Sequence, residues 1–178
     1  MDRIVFFDRD GIVNERIVGD YVRSPEEFVF CKGFFALFKW VKSRGYRAII
    51  VSNQQGVGKG IMTAEELSQL TVWMHEQLHA FCGETFDDVY YCTELETPQA
   101  QCRKPRPTML LNALTKWNGD PAQSWMIGDM PSDVEAGVAA GVRAILVGEY
   151  TPDDVPTAFA IVPDLATCLH ILRTHEGI

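Results

Sequence analysis

Short apolar segments alternate with longer helical patterns along this chain, and this alternation constrains the fold more than any other feature of the sequence. Each segment is rich in β-branched or aromatic residues, as strands are. The predicted strands are Arg3 to Asp8, Tyr46 to Ser52, Phe86 to Cys92, Ser124 to Ile127 and Val142 to Val147. Because strands separated by helices pair in parallel, we predict an α/β fold. It is a Rossmann-like, doubly wound, mostly parallel sheet of order 3-2-1-4-5 with helices on both faces.

The first two helices are predicted from the spacing of apolar residues. One helix contains Phe34, Leu37, Phe38 and Val41 and ends at Gly45. The next opens with a capping box formed by Thr63 and Glu66. Its expected apolar face consists of Leu67, Leu70, Met74, Leu78 and Phe81.

Two more helical patterns and a tail complete the chain. We predict a third helix from about Arg106 to Trp117, and a fourth from Ser132, where Glu135 would complete another capping box. After residue 147 we expect a loop, the short apolar run Phe159 to Val162, and a last helix after Asp164.

Length and composition indicate one domain, residues 1–178, in which 47% hydrophobic residues suffice for a core. The segments 12–32 and 93–104 are shorter than the roughly 50 residues of a small domain, so we expect no separate cap domain and an open site. A net charge of −8 argues against nucleic acid as a partner.

The chain carries no basic leader and no long apolar run, so we expect a cytoplasmic protein without membrane contact. Separately, we expect a monomer. Its five cysteines are scattered and odd in number, which favours reduced thiols over a disulfide framework.

Polar residues follow four of the predicted strands where each strand ends. They are Asp8 and Asp10, then Ser52 and Asn53, then Arg103 and Lys104, and finally Asp129 and Asp133. Because the carboxyl ends of parallel strands lie at one edge of a sheet, these groups are expected to meet there. Clustered carboxylates repel each other unless a cation lies between them, and Mg²⁺ suits such an oxygen-rich site.

With Mg²⁺ neutralising the cluster, Asp8 could attack phosphorus and form an aspartyl phosphate. Asp10 could protonate the leaving alkoxide and later take a proton from water. Ser52 and Lys104 would stabilise the charge on the phosphoryl oxygens. Taken singly, each of these residues has a structural interpretation as a turn former, helix cap or solvated charge, and their convergence favours the catalytic one.

Four motifs carry a resemblance to a known family: DRDG at 8–11, SNQQG at 52–56, CRKP at 102–105 and GDMPSD at 128–133. They resemble the motifs of haloacid dehalogenase-like phosphatases, and more narrowly of the heptose 1,7-bisphosphate phosphatases and their histidinol-phosphatase relatives. The resemblance covers roughly residues 4–147.

The resemblance implies a role for each matched residue. Asp8 would be the nucleophile and Asp10 the acid/base, while Asp8, Asp129 and the Asp10 carbonyl would bind Mg²⁺, supported by Asp133. Ser52 and Lys104 would hold the phosphoryl group, and Arg103 would contact the rest of the substrate. In an open site, selectivity must come from loops, and the expected substrate-binding residues are Tyr21, Asn53, Gln54, Gln55 and Arg103.

The expected substrate is a small phosphorylated metabolite. The first choice is D-glycero-D-manno-heptose 1,7-bisphosphate, from which the 7-phosphate would be removed. Histidinol phosphate or another small sugar phosphate is the enzymatic alternative. A receiver-like phosphoacceptor domain is the alternative without turnover, but it would need an acceptor Asp after the third strand, where this chain has Cys92 and Thr93.

The third loop departs from the family pattern. Relatives in this branch usually bind zinc there through a Cys-x-His and a Cys-x-Cys. Here Cys92 and Cys102 remain, but Glu94 replaces the histidine and Ala100 replaces the other cysteine. Structural zinc normally takes four ligands, so we predict that no zinc is bound here. The alternative is a zinc site in which Glu94 serves as a replacement ligand.

Two other short patterns are interpreted as structural. His75 and His79 match HExxH, but the apolar stripe of their helix places them towards its edge or on the polar side, and no third ligand follows. The glycine-rich segment 56–60 lacks the spacing of a phosphate-binding loop, and we interpret it as a flexible turn beside the site that could touch substrate.

Overall fold

The computed structural model describes residues 1–177. Its strands are β1 (Ile4–Phe7), β2 (Arg47–Asn53), β3 (Asp88–Cys92), β4 (Trp125–Gly128), β5 (Arg143–Val147) and β6 (Ala160–Val162). Its helices are α1 (Phe34–Ser43), α2 (Gln55–Gly58), α3 (Ala64–Cys82), α4 (Thr108–Lys116), α5 (Pro131–Ala139) and α6 (Leu165–His175). Short 3₁₀ helices lie at Pro25–Glu27 and Pro121–Gln123.

The strands that the structure describes form one parallel sheet of order β3-β2-β1-β4-β5-β6. This confirms the predicted fold class and the predicted order of the first five strands. The sixth strand extends the prediction, because Ala160–Val162 pairs with β5 in parallel. An apolar run of that length does not by itself distinguish a strand from a loop.

The central strand β1 is buried on both faces, as its unbroken apolar sequence requires. Val5 and Phe7 pack with α1, α3 and α6 on one face of the sheet. Ile4 and Phe6 pack with α4 and α5 on the other face. Helices therefore cover both faces, and the end of β1 is held between two cores.

The helix signals of the first half are confirmed, with one exception. Gly45, at φ +74°, follows the end of α1. In the capping box of α3, the Thr63 hydroxyl accepts from the Glu66 N–H at 3.1 Å. The prediction that Phe81 belongs to the apolar face was wrong, since Phe81 is 59% exposed in the last turn of α3, where its ring packs beside Phe35.

The predicted start of the fourth helix was also wrong. Helix α5 begins at Pro131, and Ser132 lies inside its first turn. The Asp133 carboxylate accepts a hydrogen bond from the Met130 N–H at 3.0 Å, so Asp133 replaces Glu135 as the capping acid. Proline at the first helical position is already preorganised for the helix, which favours the earlier start.

Segments 8–33 and 93–107 flank the carboxyl end of the sheet. Among the described residues they contain short turns, isolated bridges and the 3₁₀ helix at Pro25–Glu27, with no longer element. Both stay close to the sheet, in agreement with the prediction of no separate cap domain. No helix in the described part of the chain is both long and apolar enough to cross a membrane.

Candidate active site

A cavity of about 450 Å³ opens at the carboxyl end of the sheet. The register explains its position, because Phe7 pairs with Ile50 on one side and Ile127 on the other. The residues that follow these strands therefore face one another. The predicted site residues that line the cavity are Asp8, Asp10, Tyr21, Ser52, Asn53, Gln55, Arg103, Lys104 and Asp133.

A buried lysine joins two carboxylates at the base of the cavity. The Lys104 ammonium lies 3.0 Å from Asp8 Oδ1 and 2.6 Å from Asp133 Oδ1, and it donates to the Val51 carbonyl at 2.7 Å. Asp8 Oδ1 also accepts the Arg9 N–H at 2.8 Å. Because Oδ1 is engaged twice, Oδ2 is the Asp8 oxygen left to meet an incoming atom.

The Asp10 side chain is held by three neighbours. Arg9 donates to its two oxygens at 3.0 and 3.2 Å, Asn14 donates at 2.9 Å and Gln54 donates at 2.8 Å. Burial alone would raise the pKa of Asp10, but the Arg9 guanidinium and the two amide hydrogen bonds bring that pKa below its ordinary value. In the substrate-free site the carboxylate is therefore ionised and fixed in direction.

Gln54 lies behind the cavity wall. It is 1% exposed, and its amide bridges the Asp10 carboxylate and the Ser52 hydroxyl, at 2.8 and 3.1 Å. This geometry orients Asp10 and Ser52. Gln54 was predicted to contact substrate, and in the structure its side chain faces Asp10 and Ser52.

Arg9 explains how two carboxylates can follow one strand a single residue apart. Its backbone N–H binds Asp8 while its guanidinium binds Asp10. The side chain is 1% exposed, and its guanidinium carbon lies 5.9 Å from the centre of the Tyr91 ring. This role was not predicted from the sequence, although a cation between two acids after a buried strand indicates it.

Arg16, which was also not predicted from the sequence, lies between the groups predicted to bind a metal. Its guanidinium contacts both oxygens of Asp129, at 2.8 and 3.0 Å, and the Asp10 carbonyl, at 3.2 Å. Asp8 Oδ2 is 4.0 Å away. Burial and the nearby Asp8 carboxylate raise the pKa of Asp129 to about 7 although Arg16 opposes them. The carboxylates of Asp8 and Asp129 thus repel each other even though Arg16 lies between them.

Two glycines make room for these carboxylates. A Cβ atom on Gly11 would lie 2.1 Å from Asp129 Oδ2, and Gly11 has φ +100°. A Cβ atom on Gly128 would lie 2.2 Å from the Asp133 side chain. Real Cβ atoms do not approach other heavy atoms this closely, so the glycines of DRDG and GDMPSD are required for the acids to converge.

The outer part of the cavity is lined by loop residues. The Tyr21 hydroxyl accepts from Lys59 Nζ at 3.0 Å. The Asn53 side chain accepts a hydrogen bond from the Lys104 N–H at 3.0 Å and donates one to the Lys104 carbonyl at 3.1 Å. These two bonds fix the Lys104 backbone beside β2. Arg103 contacts Glu96 at 3.4 Å, and its Nη1 is buried without a hydrogen-bond partner among residues 1–177.

The expectation of reduced cysteines was wrong for one pair, since Cys92 and Cys102 form a disulfide. Their Cα atoms are 5.6 Å apart because the third loop folds back on the end of β3. The Glu94 carboxylate accepts from the N–H groups of Gln101 and Cys102 at 2.6 and 2.9 Å. The number and spacing of cysteines in the sequence do not indicate this conformation of the loop. Cys31, Cys82 and Cys168 are free.

This chain is similar to known proteins in sequence and in fold. A family model described as HAD-hydrolase-like matches residues 101–168. A D-glycero-beta-D-manno-heptose-1,7-bisphosphate 7-phosphatase of Helicobacter pylori is 34% identical over 172 residues, which cover 97% of this chain and 98% of that protein. A D-glycero-alpha-D-manno-heptose-1,7-bisphosphate 7-phosphatase of Burkholderia mallei is 36% identical over 169 residues, 90% of this chain and 88% of the relative.

The fold has a solved counterpart. The D,D-heptose 1,7-bisphosphate phosphatase of B. bronchiseptica, crystallised with magnesium and phosphate, superposes with a TM-score of 0.85 and 24% identity. The match covers 97% of this chain and 99% of that one. With 34% identity to the Helicobacter pylori protein across nearly the whole of both sequences, this chain belongs to the haloacid dehalogenase-like hydrolases, in the family of the heptose-1,7-bisphosphate 7-phosphatases.

Proposed function

We propose that this protein hydrolyses the 7-phosphate of D-glycero-D-manno-heptose 1,7-bisphosphate through an aspartyl phosphate. The single observation that carries the proposal is the set of contacts around the Asp8 carboxylate. One of its oxygens is held by the Arg9 N–H and Lys104, and its carboxylate lines a cavity shared with Asp10 and Ser52. Relatives that match this chain over most of its length are named for the same reaction.

The side chains divide the reaction into two displacements. An Asp8 oxygen attacks the phosphorus atom and the bond from phosphorus to the sugar oxygen breaks. Asp10, which takes up a proton when the negatively charged phosphate binds beside it, gives that proton to the sugar oxygen. A water molecule then attacks the phosphorus of the aspartyl phosphate and loses a proton to Asp10, which releases phosphate and restores Asp8. Lys104 and Ser52 stabilise the charge on the phosphoryl oxygens in both displacements.

The oxygen atoms around Arg16 fit a divalent cation. Carboxylate and carbonyl oxygens are ligands that Mg²⁺ prefers, and those of Asp8, Asp129 and the Asp10 carbonyl already face a positively charged group. These three groups would hold Mg²⁺, with Asp133 fixing the end of the site through Lys104 and the Met130 N–H. When bound, Mg²⁺ neutralises phosphate charge and makes the phosphorus more open to attack.

Replacing Arg16 should tighten Mg²⁺ binding, because the guanidinium and the ion compete for the same oxygens. We expect Arg16→Gln to lower the Kd for Mg²⁺ by about 3- to 30-fold, which is the range for losing a half-exposed, bidentate ion pair. Calorimetric titration of the substrate-free protein measures this directly.

A second arginine of the same loop provides the control. Arg23 pairs with Asp20 and Glu27, at 3.4 and 3.3 Å, instead of with the site, so Arg23→Gln should leave Mg²⁺ affinity unchanged. Unchanged or weaker Mg²⁺ binding by Arg16→Gln would show that Arg16 does not occupy the position of the ion.

The substrate is tested by phosphate release in the presence of Mg²⁺. The panel contains both anomers of heptose 1,7-bisphosphate, histidinol phosphate and fructose 1,6-bisphosphate. We expect kcat/KM to be highest for one heptose anomer, and that anomer is then the substrate. Equal, low rates across the panel would contradict the heptose assignment while retaining a phosphatase.

A further inference from the structure

Lys59 occupies a defined position at the outer part of the catalytic cavity. It directly follows α2, the short helix after β2, and it lines the same cavity as Asp8. Its ammonium donates to the Tyr21 hydroxyl at 3.0 Å and lies 5.6 Å from the centre of the Tyr21 ring. The glycine-rich segment 56–60, interpreted from sequence as a turn, is therefore helical at its start and delivers a cation to the cavity.

Packing between Tyr21 and α2 keeps this cation in place. A Cβ atom on Gly56 would lie 3.1 Å from the Tyr21 ring, so ring and helix backbone are in close contact. Tyr21 also contributes the hydroxyl that Lys59 binds. The first loop and the segment after β2 thus position Lys59 together.

The charge of Lys59 is not neutralised by the protein. The other cations that line the cavity contact carboxylates, Arg16 at Asp129, Lys104 at Asp8 and Asp133, and Arg103 at Glu96. Across residues 1–177, no carboxylate oxygen lies within 4.0 Å of Lys59 Nζ. An ammonium group carries three donors, and Tyr21 takes one of them.

We propose that Lys59, positioned by Tyr21, binds the second phosphate group of a bisphosphorylated substrate, the one that is not hydrolysed. The inference rests on the proposed function and adds the residue that would select two phosphates over one. A phosphate at the Asp8 end of the cavity meets Lys104, while a second dianion in the same cavity needs an unpaired cation. Lys59 is available for that charge, and it would act beside Arg103.

Lys59 is a specificity residue in this scheme and does not touch the reacting atoms. A contact made equally in the ground state and the transition state lowers KM and leaves kcat unchanged. Loss of the contact should therefore appear in KM, and only for substrates that carry the second phosphate.

The test compares Lys59→Gln with the unchanged protein on two substrates, the preferred anomer of heptose 1,7-bisphosphate and p-nitrophenyl phosphate, which has one phosphate. For the bisphosphate we expect KM to rise about 10- to 100-fold, with kcat within about twofold of the unchanged protein, from the loss of one charge-assisted hydrogen bond. For p-nitrophenyl phosphate both constants should stay the same. Lys59→Arg should retain most of the affinity because it keeps the charge.

A lysine elsewhere serves as the matched control. Lys39 is exposed on α1, outside the residues that line the cavity, and Lys39→Gln should leave both substrates unaffected. An unchanged KM for the bisphosphate in Lys59→Gln, or an equal rise for both substrates, overturns this inference alone. If the unchanged protein releases phosphate from p-nitrophenyl phosphate but not from either heptose anomer, the proposed function fails and this inference fails with it.

Discussion

Asp8→Asn should abolish phosphate release, lowering kcat by a factor on the order of 10⁴ or more, as expected for loss of a nucleophile. The asparagine oxygen can keep the hydrogen bonds from the Arg9 N–H and Lys104, so the surroundings are retained. A neutral amide, however, does not displace the sugar oxygen from phosphorus. Phosphate release at saturating substrate measures the loss, and acid quenching of the reaction should trap a phosphoenzyme only when Asp8 is present.

Stability separates this catalytic effect from misfolding. Asp8 is buried beside Asp129 and Asp133; burial raises the pKa of both, and the Asp8 charge raises it further. Removing that charge relieves repulsion but also weakens the pair with Lys104, which keeps Asp133 as a partner, so Asp8→Asn should unfold at about the same temperature as the unchanged protein. A variant that is folded and still turns over at more than about 1% of the original rate would contradict Asp8 as the nucleophile.

Lys104→Met should damage both activity and stability. The Lys104 side chain is 2% exposed and its ammonium pairs with both Asp8 and Asp133, so its removal leaves two carboxylates without their common cation. Breaking a buried ion pair in this way costs about 3–5 kcal/mol of unfolding free energy. The loss of a positive charge at the phosphoryl oxygens should also lower kcat by about 10²- to 10³-fold. Denaturant unfolding in the absence of Mg²⁺ and single-substrate kinetics measure the two effects.

A second substitution tells the two effects apart. In the Lys104→Met background, Asp133→Asn removes one of the unpaired charges, and we expect it to recover a large part of the lost unfolding free energy. Activity should not return, because no cation is restored. If Asp133→Asn lowers stability further, the lysine is not the partner that compensates the buried charge of Asp133.

The central part of the site was predictable because its position follows from strand order. Asp8, Ser52 and Asp133 lie close to the carboxyl ends of neighbouring parallel strands, and such ends meet in any sheet of this order. Lys104 comes from a longer loop, yet the motif around it was sufficient to place it. The four motifs also predicted the family, which the relatives confirm.

Features that depend on loop conformation and packing were not predictable. Arg16 reaches Asp129 because the first loop turns back over the site, and no pattern in its neighbours indicates this. The pairing of Cys92 with Cys102 depends on the same kind of loop geometry. Phe81 has the correct helical spacing for burial, but its surroundings at the end of α3 leave it exposed. The spacing of apolar residues identifies one face of a helix, but it does not indicate which residues pack against each turn of that face.

The central position of β1 also determines when the protein can become active during synthesis. β1 emerges first, and β2, which ends at Asn53, gives it one neighbour early. Its other neighbour, β4, begins only at Trp125, and the acids Asp129 and Asp133 follow it. Until then a nascent chain holds Asp8 at an unpaired strand edge, which is the kind of surface that aggregates. The active site is therefore complete only once β4 pairs with β1, and after dilution from denaturant phosphatase activity should not return before this pairing forms.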